Sequence, residues 1–241
     1  MIRIIQNNKV RRRLVPDAND ANMQIISFSL GELQANCYLL IKDKECLLID
    51  PADDANFLLE EITRRNLKLV GLLATHGHFD HIMAVGEIQL TYPEIPLYIN
   101  LKDEFLLDRL QETAEYFLGH KIAIIKPKKI SAVPENELKI FRLAEASAKR
   151  ANFKIKIILS PGHTPGSVCF YFADDKILFS GDLIFKDGIG RYDFSYCNKD
   201  DLKHSLKKIL LLPKDTVVYP GHGEKTTVAE EKKNFPNFLV S

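Results

Sequence analysis

A layered α/β domain with two facing sheets is the fold class that the sequence predicts, and three observations predict it. Short β-rich or apolar runs fall into two groups along the chain, each group is attended by segments of helical spacing, and no unit of roughly 20 to 50 residues repeats. The chain has 241 residues of which 46% are hydrophobic, enough for a substantial core and too many for a fibrous, collagen-like or disordered class.

In order, Gln24 to Leu30, Asn36 to Ile41 and Glu45 to Asp50 read as consecutive antiparallel strands, punctuated by Gly31 and by Lys42-Asp43-Lys44. Asn56 to Arg65 places Phe57, Leu58, Glu61, Ile62 and Arg65 at helical spacing, with Asp53 or Asp54 as the N-cap of a surface helix. Leu69 to Thr75 is a largely apolar run ending at His76, as in a strand buried on both faces, and Ile82 to Leu90 is helical in composition. Leu97 to Asn100 suggests a strand, Leu101 to Leu118 a helix broken near Gly119, and Lys126 to Pro134 a basic, proline-bounded loop. Strands return at Glu137 to Arg142, Phe153 to Ser160, Val168 to Phe172 and Lys176 to Ser180; a helix over Lys199 to Leu212 and a strand over Thr216 to Tyr219 follow.

The charge balance is 33 basic against 32 acidic side chains, net +1, so no global field draws the chain to nucleic acid or an anionic membrane. Lys126, Lys128, Lys129, Lys149, Arg150, Lys154 and Lys156 are expected to solubilise a surface rather than bind nucleic acid, since no aromatic residues interleave them. The longest apolar runs, such as Ile209 to Leu212, fall far short of the roughly 20 residues of a membrane helix. Cys37, Cys46, Cys169 and Cys197 show no C-x-x-C spacing, which argues against a thiolate metal site and for a reducing, cytoplasmic setting. Residues 1–22 carry Arg3, Lys9 and Arg11-Arg12-Arg13 before the first acid at Asp17, and read as a polar extension preceding a domain over 23–241. An organelle transit segment is the alternative reading of that composition.

Five of the seven histidines sit in loops that follow strand-like runs. The first loop reads Thr75-His76-Gly77-His78-Phe79-Asp80-His81. Side chains two apart in an extended loop point the same way, so His76 and His78 can grip one metal while Asp80 and His81, turned at the start of a helix, face a second. Crowding four such groups without a cation leaves desolvation and charge that nothing nearby offsets. Ser160-Pro161-Gly162-His163-Thr164-Pro165-Gly166-Ser167 fixes a third imidazole, His163, to complete a face with His76 and His78. Asp182, closing Phe179-Ser180-Gly181-Asp182, can bridge two ions, and His222 in Tyr219-Pro220-Gly221-His222-Gly223 joins Asp80 and His81. His120 and His204 lie outside this pattern.

With its His-x-His-x-Asp-His signature and these later loops, the chain resembles the metallo-β-lactamase-fold hydrolases, and among them the short glyoxalase II-like (hydroxyacylglutathione hydrolase-like) enzymes. The resemblance runs from about Met23 to the C-terminus and includes Asn36-Cys37-Tyr38-Leu39-Leu40, Leu48-Ile49-Asp50-Pro51 and Gly190-Arg191-Tyr192-Asp193. It implies a four-layer αββα sandwich with the site at one edge of the sheets. It implies His76, His78 and His163 on one divalent ion and Asp80, His81 and His222 on another, with Asp182 bridging and Asp50 supporting the ligands. Zinc is the expected metal, with iron or manganese as alternatives.

Two such ions can hold a shared water, lower its pKa and present hydroxide to an acyl carbon, with Asp80 and Asp182 holding it in place. No serine nucleophile is then required, and the chain has no G-x-S-x-G elbow. The expected reaction is hydrolysis of a small-molecule thioester such as S-lactoylglutathione, with Arg191, Tyr192 and Lys225 as candidate contacts to a substrate carboxylate. Only 19 residues follow His222, whereas full-length glyoxalase II enzymes carry a helical region there that supplies glutathione contacts. The rival reading is a persulfide dioxygenase, which the chain also resembles, with one iron on His76, His163 and Asp182. No candidate ligand lies in residues 1–22, so deleting them is expected to leave turnover intact; a large loss of soluble, active protein would show that the extension is structural.

Overall fold

Tight reversals organise the first sheet. In the computed structural model, which describes residues 23–140 and 153–235, β1 (Gln24–Leu30), β2 (Ala35–Lys42) and β3 (Glu45–Ile49) pair antiparallel in succession. Asp43 and Lys44 both take positive φ (49° and 65°) between β2 and β3, the backbone that a two-residue hairpin turn needs. α1 (Ala55–Arg64) follows, capped by Asp54, whose carboxylate accepts from the Phe57 amide at 3.1 Å. β4 (Lys68–Leu73) then joins β3 in parallel.

The predicted helix over Ile82 to Leu90 is two helices, α2 (Phe79–Ile82) and α3 (Val85–Thr91). The break has a hydrogen-bond cause: the Ala84 amide donates to the Pro51 carbonyl at 3.1 Å. After β5 (Leu97–Ile99), the predicted helix over Leu101 to Leu118 is a 3₁₀ turn at Leu101–Asp103, then α4 (Glu104–Asp108) and α5 (Leu110–Leu118), ended by Gly119. The expected loop over Lys126 to Pro134 contains β6 (Ile130–Ala132), parallel to β5. Its flanking lysines hid a short edge strand, a position where charge blocks further pairing. The first sheet runs β1-β2-β3-β4-β5-β6.

The second sheet is built from β7 (Glu137–Ile140), β8 (Phe153–Leu159), β9 (Val168–Phe172) and β10 (Ile177–Gly181). A small hairpin, β11 (Ile184–Phe185) with β12 (Gly188–Ile189), precedes α6 (Lys199–Leu210). β13 (Val217–Pro220), β14 (Thr226–Thr227) and α7 (Val228–Asn234) finish the described chain. The order is β14-β13-β10-β9-β8-β7, antiparallel except for the parallel β10–β13 pair. The end of the strand expected to reach Arg142, the extension over 1–22, Lys149 and Arg150 lie outside the described residues.

Strand alternation explains the layering. In β2, Tyr38 and Leu40 face the other sheet, where they meet Phe170, Phe179 and Tyr219, while Cys37 and Leu39 face α1 and α3 through Leu58, Ile62 and Ile88. The outer face of the second sheet is covered by Leu202, Leu206 and Ile209 of α6 and Val228 of α7. The result is the expected helix-sheet-sheet-helix sandwich. Each fully buried phenylalanine between the sheets, such as Phe153, Phe170 and Phe179, contributes roughly 1.5–3 kcal/mol.

Among the described residues, no helix is long and apolar enough to cross a membrane. The expected basic surface is partly neutralised: Lys126 pairs with Asp108, Lys129 with Glu94 at 2.6 Å and Lys154 with Glu137 at 3.6 Å.

One close approach gives a stability test. A Cβ added at Gly86 in α3 would lie 1.7 Å from the Ile125 carbonyl oxygen. Gly86→Ala is therefore expected to lower the urea midpoint by the equivalent of about 2–3 kcal/mol. An unchanged midpoint would show that α3 and the 125 segment part freely.

Candidate metal centre

Four strand ends deliver the histidines and carboxylates to one edge of the sandwich. β4 runs out through Thr75 into His76 and His78, and α2 then turns Asp80 and His81 inward. The loop between β8 and β9 carries His163, the end of β10 carries Asp182, and the end of β13 carries His222. Gly221 makes the last approach possible, since a Cβ there would sit 2.1 Å from Asp182 Oδ1.

All seven expected ligands are brought together. His78 Nδ1 lies 3.0 Å from both His76 Nε2 and His163 Nε2. Nitrogens held ~2.0–2.1 Å from one tetrahedral ion keep a similar mutual spacing, about 3.3 Å. Asp182 stands between two halves of the cluster: Oδ1 is 3.4 Å from His81 Nε2, while Oδ2 is 3.6 Å from His163 Nε2 and 3.8 Å from His222 Nε2. Asp80 Oδ2 lies 3.3 Å from His222 Nε2 and 3.7 Å from His81 Nε2. Three sets among the described residues, His76/His78/His163, His76/His81/Asp182 and Asp80/His81/His222, each place their ligand atoms within 4.8 Å of one another.

The outer nitrogens are already spoken for, which fixes where the inner ones point. His163 Nδ1 donates to the Arg191 carbonyl at 2.8 Å, and His81 Nδ1 donates to Asp50 Oδ2 at 3.1 Å. Thr75 Oγ1 donates to Asp50 Oδ2 at 2.7 Å, so it accepts from His76 Nδ1 at 3.0 Å. His78 Nε2 meets the Tyr196 hydroxyl at 2.8 Å. Each ring thus turns its remaining nitrogen toward the centre.

Two atoms of this cluster, His81 Nε2 and Asp182 Oδ1, are buried without a hydrogen-bond partner. Such orphans are costly unless an ion satisfies them. Electrostatics point the same way. Burial, reinforced by neighbouring rings, pushes His76 well down and His78 down to about 3. For His81, burial opposes protonation, yet Asp80, Asp182 and Asp50 outweigh it and raise it to about 10. Burial would raise Asp80, but His81, His222 and His78 hold it below the usual carboxylate range. The carboxylates therefore keep a positive charge at the place a cation would supply one. The nitrogen and oxygen donor set, with no thiolate, fits zinc, iron or manganese; Cys37, Cys46 and Cys169 are buried elsewhere, and burial raises Cys46 and Cys169 to about 12.

Several supporting residues escaped sequence reasoning. Asp103 is buried and accepts from the Gly77 amide at 2.9 Å, the Gly166 amide at 2.6 Å and Thr164 Oγ1 at 2.6 Å, so it ties the His76–His78 loop to the His163 loop. No local motif marks it. Asn36 and Tyr38 both donate to the Pro220 carbonyl, at 2.9 and 2.5 Å, and so hold the His222 loop.

Of the three expected substrate contacts, Arg191 lines a groove of about 570 Å³ beside the cluster, while Tyr192 and Lys225 are exposed and do not line it. Arg191 forks onto Asp193 at 2.7 and 2.8 Å, and its guanidinium lies 4.1 Å from the Phe194 ring centre. His120 pairs with Glu32 at 2.7 Å, and His204 Nδ1 bonds the Asp200 carbonyl at 2.8 Å, so neither joins the centre.

Comparison with known proteins agrees with this geometry. A Haemophilus influenzae protein named hydroxyacylglutathione hydrolase GloC is 34% identical over 222 residues, 91% of this chain and 99% of that one. A Bacillus subtilis protein named probable metallo-hydrolase YqgX is 34% identical over 209 residues, 86% of this chain and 93% of that one. Among solved structures, the BLEG-1 B3 metallo-beta-lactamase superposes with a TM-score of 0.78 at 35% identity, covering 90% of this chain and all of the other. TTHA1623 in a di-iron-bound form gives 0.77 at 33%, covering 88% and 99%. The sequence family described as the Metallo-beta-lactamase superfamily matches residues 30–222, so the chain belongs to that superfamily of metal-dependent hydrolases.

Proposed function

We propose that the protein is a thioester hydrolase of the glyoxalase II type, cleaving S-lactoylglutathione or a related acyl thioester. The observation that carries this reading is the pair of ligand sets on either side of Asp182, with His81 Nε2 and Asp182 Oδ1 orphaned between them, as a two-cation centre requires. The similarity to a hydroxyacylglutathione hydrolase along nearly the whole chain supports the choice of thioester.

His76, His78 and His163 would hold one cation and Asp80, His81 and His222 the other, with Asp182 between them. When bound, the cations supply Lewis acidity that activates water and polarises the acyl carbonyl. The chain supplies orientation: Asp50 holds the imidazoles of His76 (through Thr75) and His81, and Arg191 through its carbonyl holds that of His163. Asp80 and Asp182 offer carboxylate oxygens that accept hydrogen bonds from water at the cluster. Hydrolysis forms one C–O bond from water and breaks the C–S bond, giving an acid and a thiol with no net oxidation.

Elemental analysis of protein purified without added metal, paired with an S-lactoylglutathione assay on the same sample, is expected to find about two ions per chain with turnover. One iron per chain, no hydrolysis and oxygen uptake with glutathione persulfide would replace this reading with the dioxygenase. Asp182→Ala is expected to lose bound metal and at least about 100-fold in turnover while keeping its fold by circular dichroism. Full metal content with unchanged turnover would overturn the bridging role.

A further inference from the structure

Beside the metal cluster the molecule exposes aromatic surface that its fold does not require. Four aromatic side chains are exposed among the described residues, and three of them, Phe105, Tyr116 and Phe117, line one groove of about 570 Å³ between α4–α5 and the 191–196 loop. Tyr116 is 80% exposed, and with Phe105 and Phe117 it forms a contiguous apolar patch of the kind that marks a binding groove. The opposite wall is Phe194 and Tyr196, whose rings stack at 5.4 Å and 28°. Tyr196 meets Phe105 edge-on at 5.4 Å, and Phe194 meets Phe117 edge-on at 5.9 Å. The rings thus form a box rather than a scatter.

The box abuts the proposed metal centre at the outer side of His78. The Tyr196 hydroxyl lies 2.8 Å from His78 Nε2, and the Phe194 ring centre is 5.7 Å from that of His78. A molecule whose reacting carbon sits at the cluster would extend its arm past the His78 ring into the groove.

Charge decides which arm. The groove's two guanidinium groups are already matched: Arg109 forks onto Glu112 at 3.2 and 3.0 Å, and Arg191 forks onto Asp193. Placing the two carboxylates of a glutathione-like thiol here would mean breaking these pairs. An uncharged, flat arm gains ring-on-ring contact at no such cost. The volume also far exceeds what a three-carbon acyl group fills.

We propose that this groove is an acyl-binding subsite for an aromatic or comparably flat apolar acyl group, so that the preferred substrate is an aryl-type acyl thioester; this rests on the thioesterase reading above. Tyr196 both lines the groove and meets the outward Nε2 of His78, so it joins the subsite to the ligand shell.

Two measurements test it. Binding of the non-hydrolysable thioethers S-(2-phenylethyl)- and S-ethyl-N-acetylcysteamine is followed by calorimetry on the metal-loaded protein. Hydrolysis of the S-phenylacetyl and S-acetyl thioesters of N-acetylcysteamine is followed by thiol release. The phenylethyl thioether is expected to bind about ten-fold more tightly or better, with a matching preference in kcat/KM carried by KM. Tyr116→Ala and Phe105→Ala, both at exposed positions, are expected to shrink both preferences several-fold. Equal binding of the two thioethers would overturn the proposal even where both thioesters are hydrolysed. A preference that neither variant alters would overturn its assignment to this groove. A binding preference without hydrolysis of any thioester would sink the thioesterase reading and leave the groove an aromatic-acyl site.

Discussion

Asp50 accepts three hydrogen bonds in a place almost closed to water: from the Thr75 amide, from Thr75 Oγ1 and from His81 Nδ1. A carboxylate buried in this way is tolerable only when every lone pair is engaged. Satisfying it forces the end of β3, the end of β4 and the start of α2 into one arrangement, and Asp50 itself takes a positive φ of 50° to reach them. That arrangement orients His76 through Thr75 and His81 directly. The position of α2 follows from the same knot, and its separation from α3 is fixed next to it, where the Ala84 amide bonds the Pro51 carbonyl.

Asp103 plays a parallel part between the two sheets. Its three acceptor bonds cross from the loop after β4 to the loop before β9. Both carboxylates work through short loops that a flexible chain would not hold, and both sit within reach of imidazoles without facing the centre. The inner carboxylates, Asp80 and Asp182, are treated oppositely: theirs are the oxygens left facing the place where a cation belongs. The protein divides its buried acids into those that build and those that bind.

Much of this was legible in the sequence. The strands of both sheets have alternating or continuous apolar patterns, and the His-x-His-x-Asp-His loop crowds groups that have no reason to meet except an ion. The shortfalls have physical causes. β6 is three residues long and edged with lysine, so its pattern was drowned by charge. The split of Ile82 to Leu90 rests on one bond from Ala84 to Pro51, a contact over more than thirty residues that no local window shows. α7 was missed although Thr227 and Glu230 form a readable capping pair: the Glu230 amide donates to Thr227 Oγ1 at 3.2 Å. Closeness in sequence to ligand loops singles out Arg191, Tyr192 and Lys225, but of these only Arg191 joins Phe194 and Tyr196 in one wall of the groove, whose other wall comes from α4 and α5, distant in sequence from those loops.

The ligand sets also straddle the chain's length. His76 and His78 need His163, while Asp80 and His81 need His222, so neither set is complete in the first half of the polypeptide. A ribosome-bound chain therefore cannot complete the first set before His163, or the second before His222, has emerged and docked. Each candidate set takes side chains from loops of both sheets, so an ion held there would act as a latch between the sheets and couple its binding to their docking.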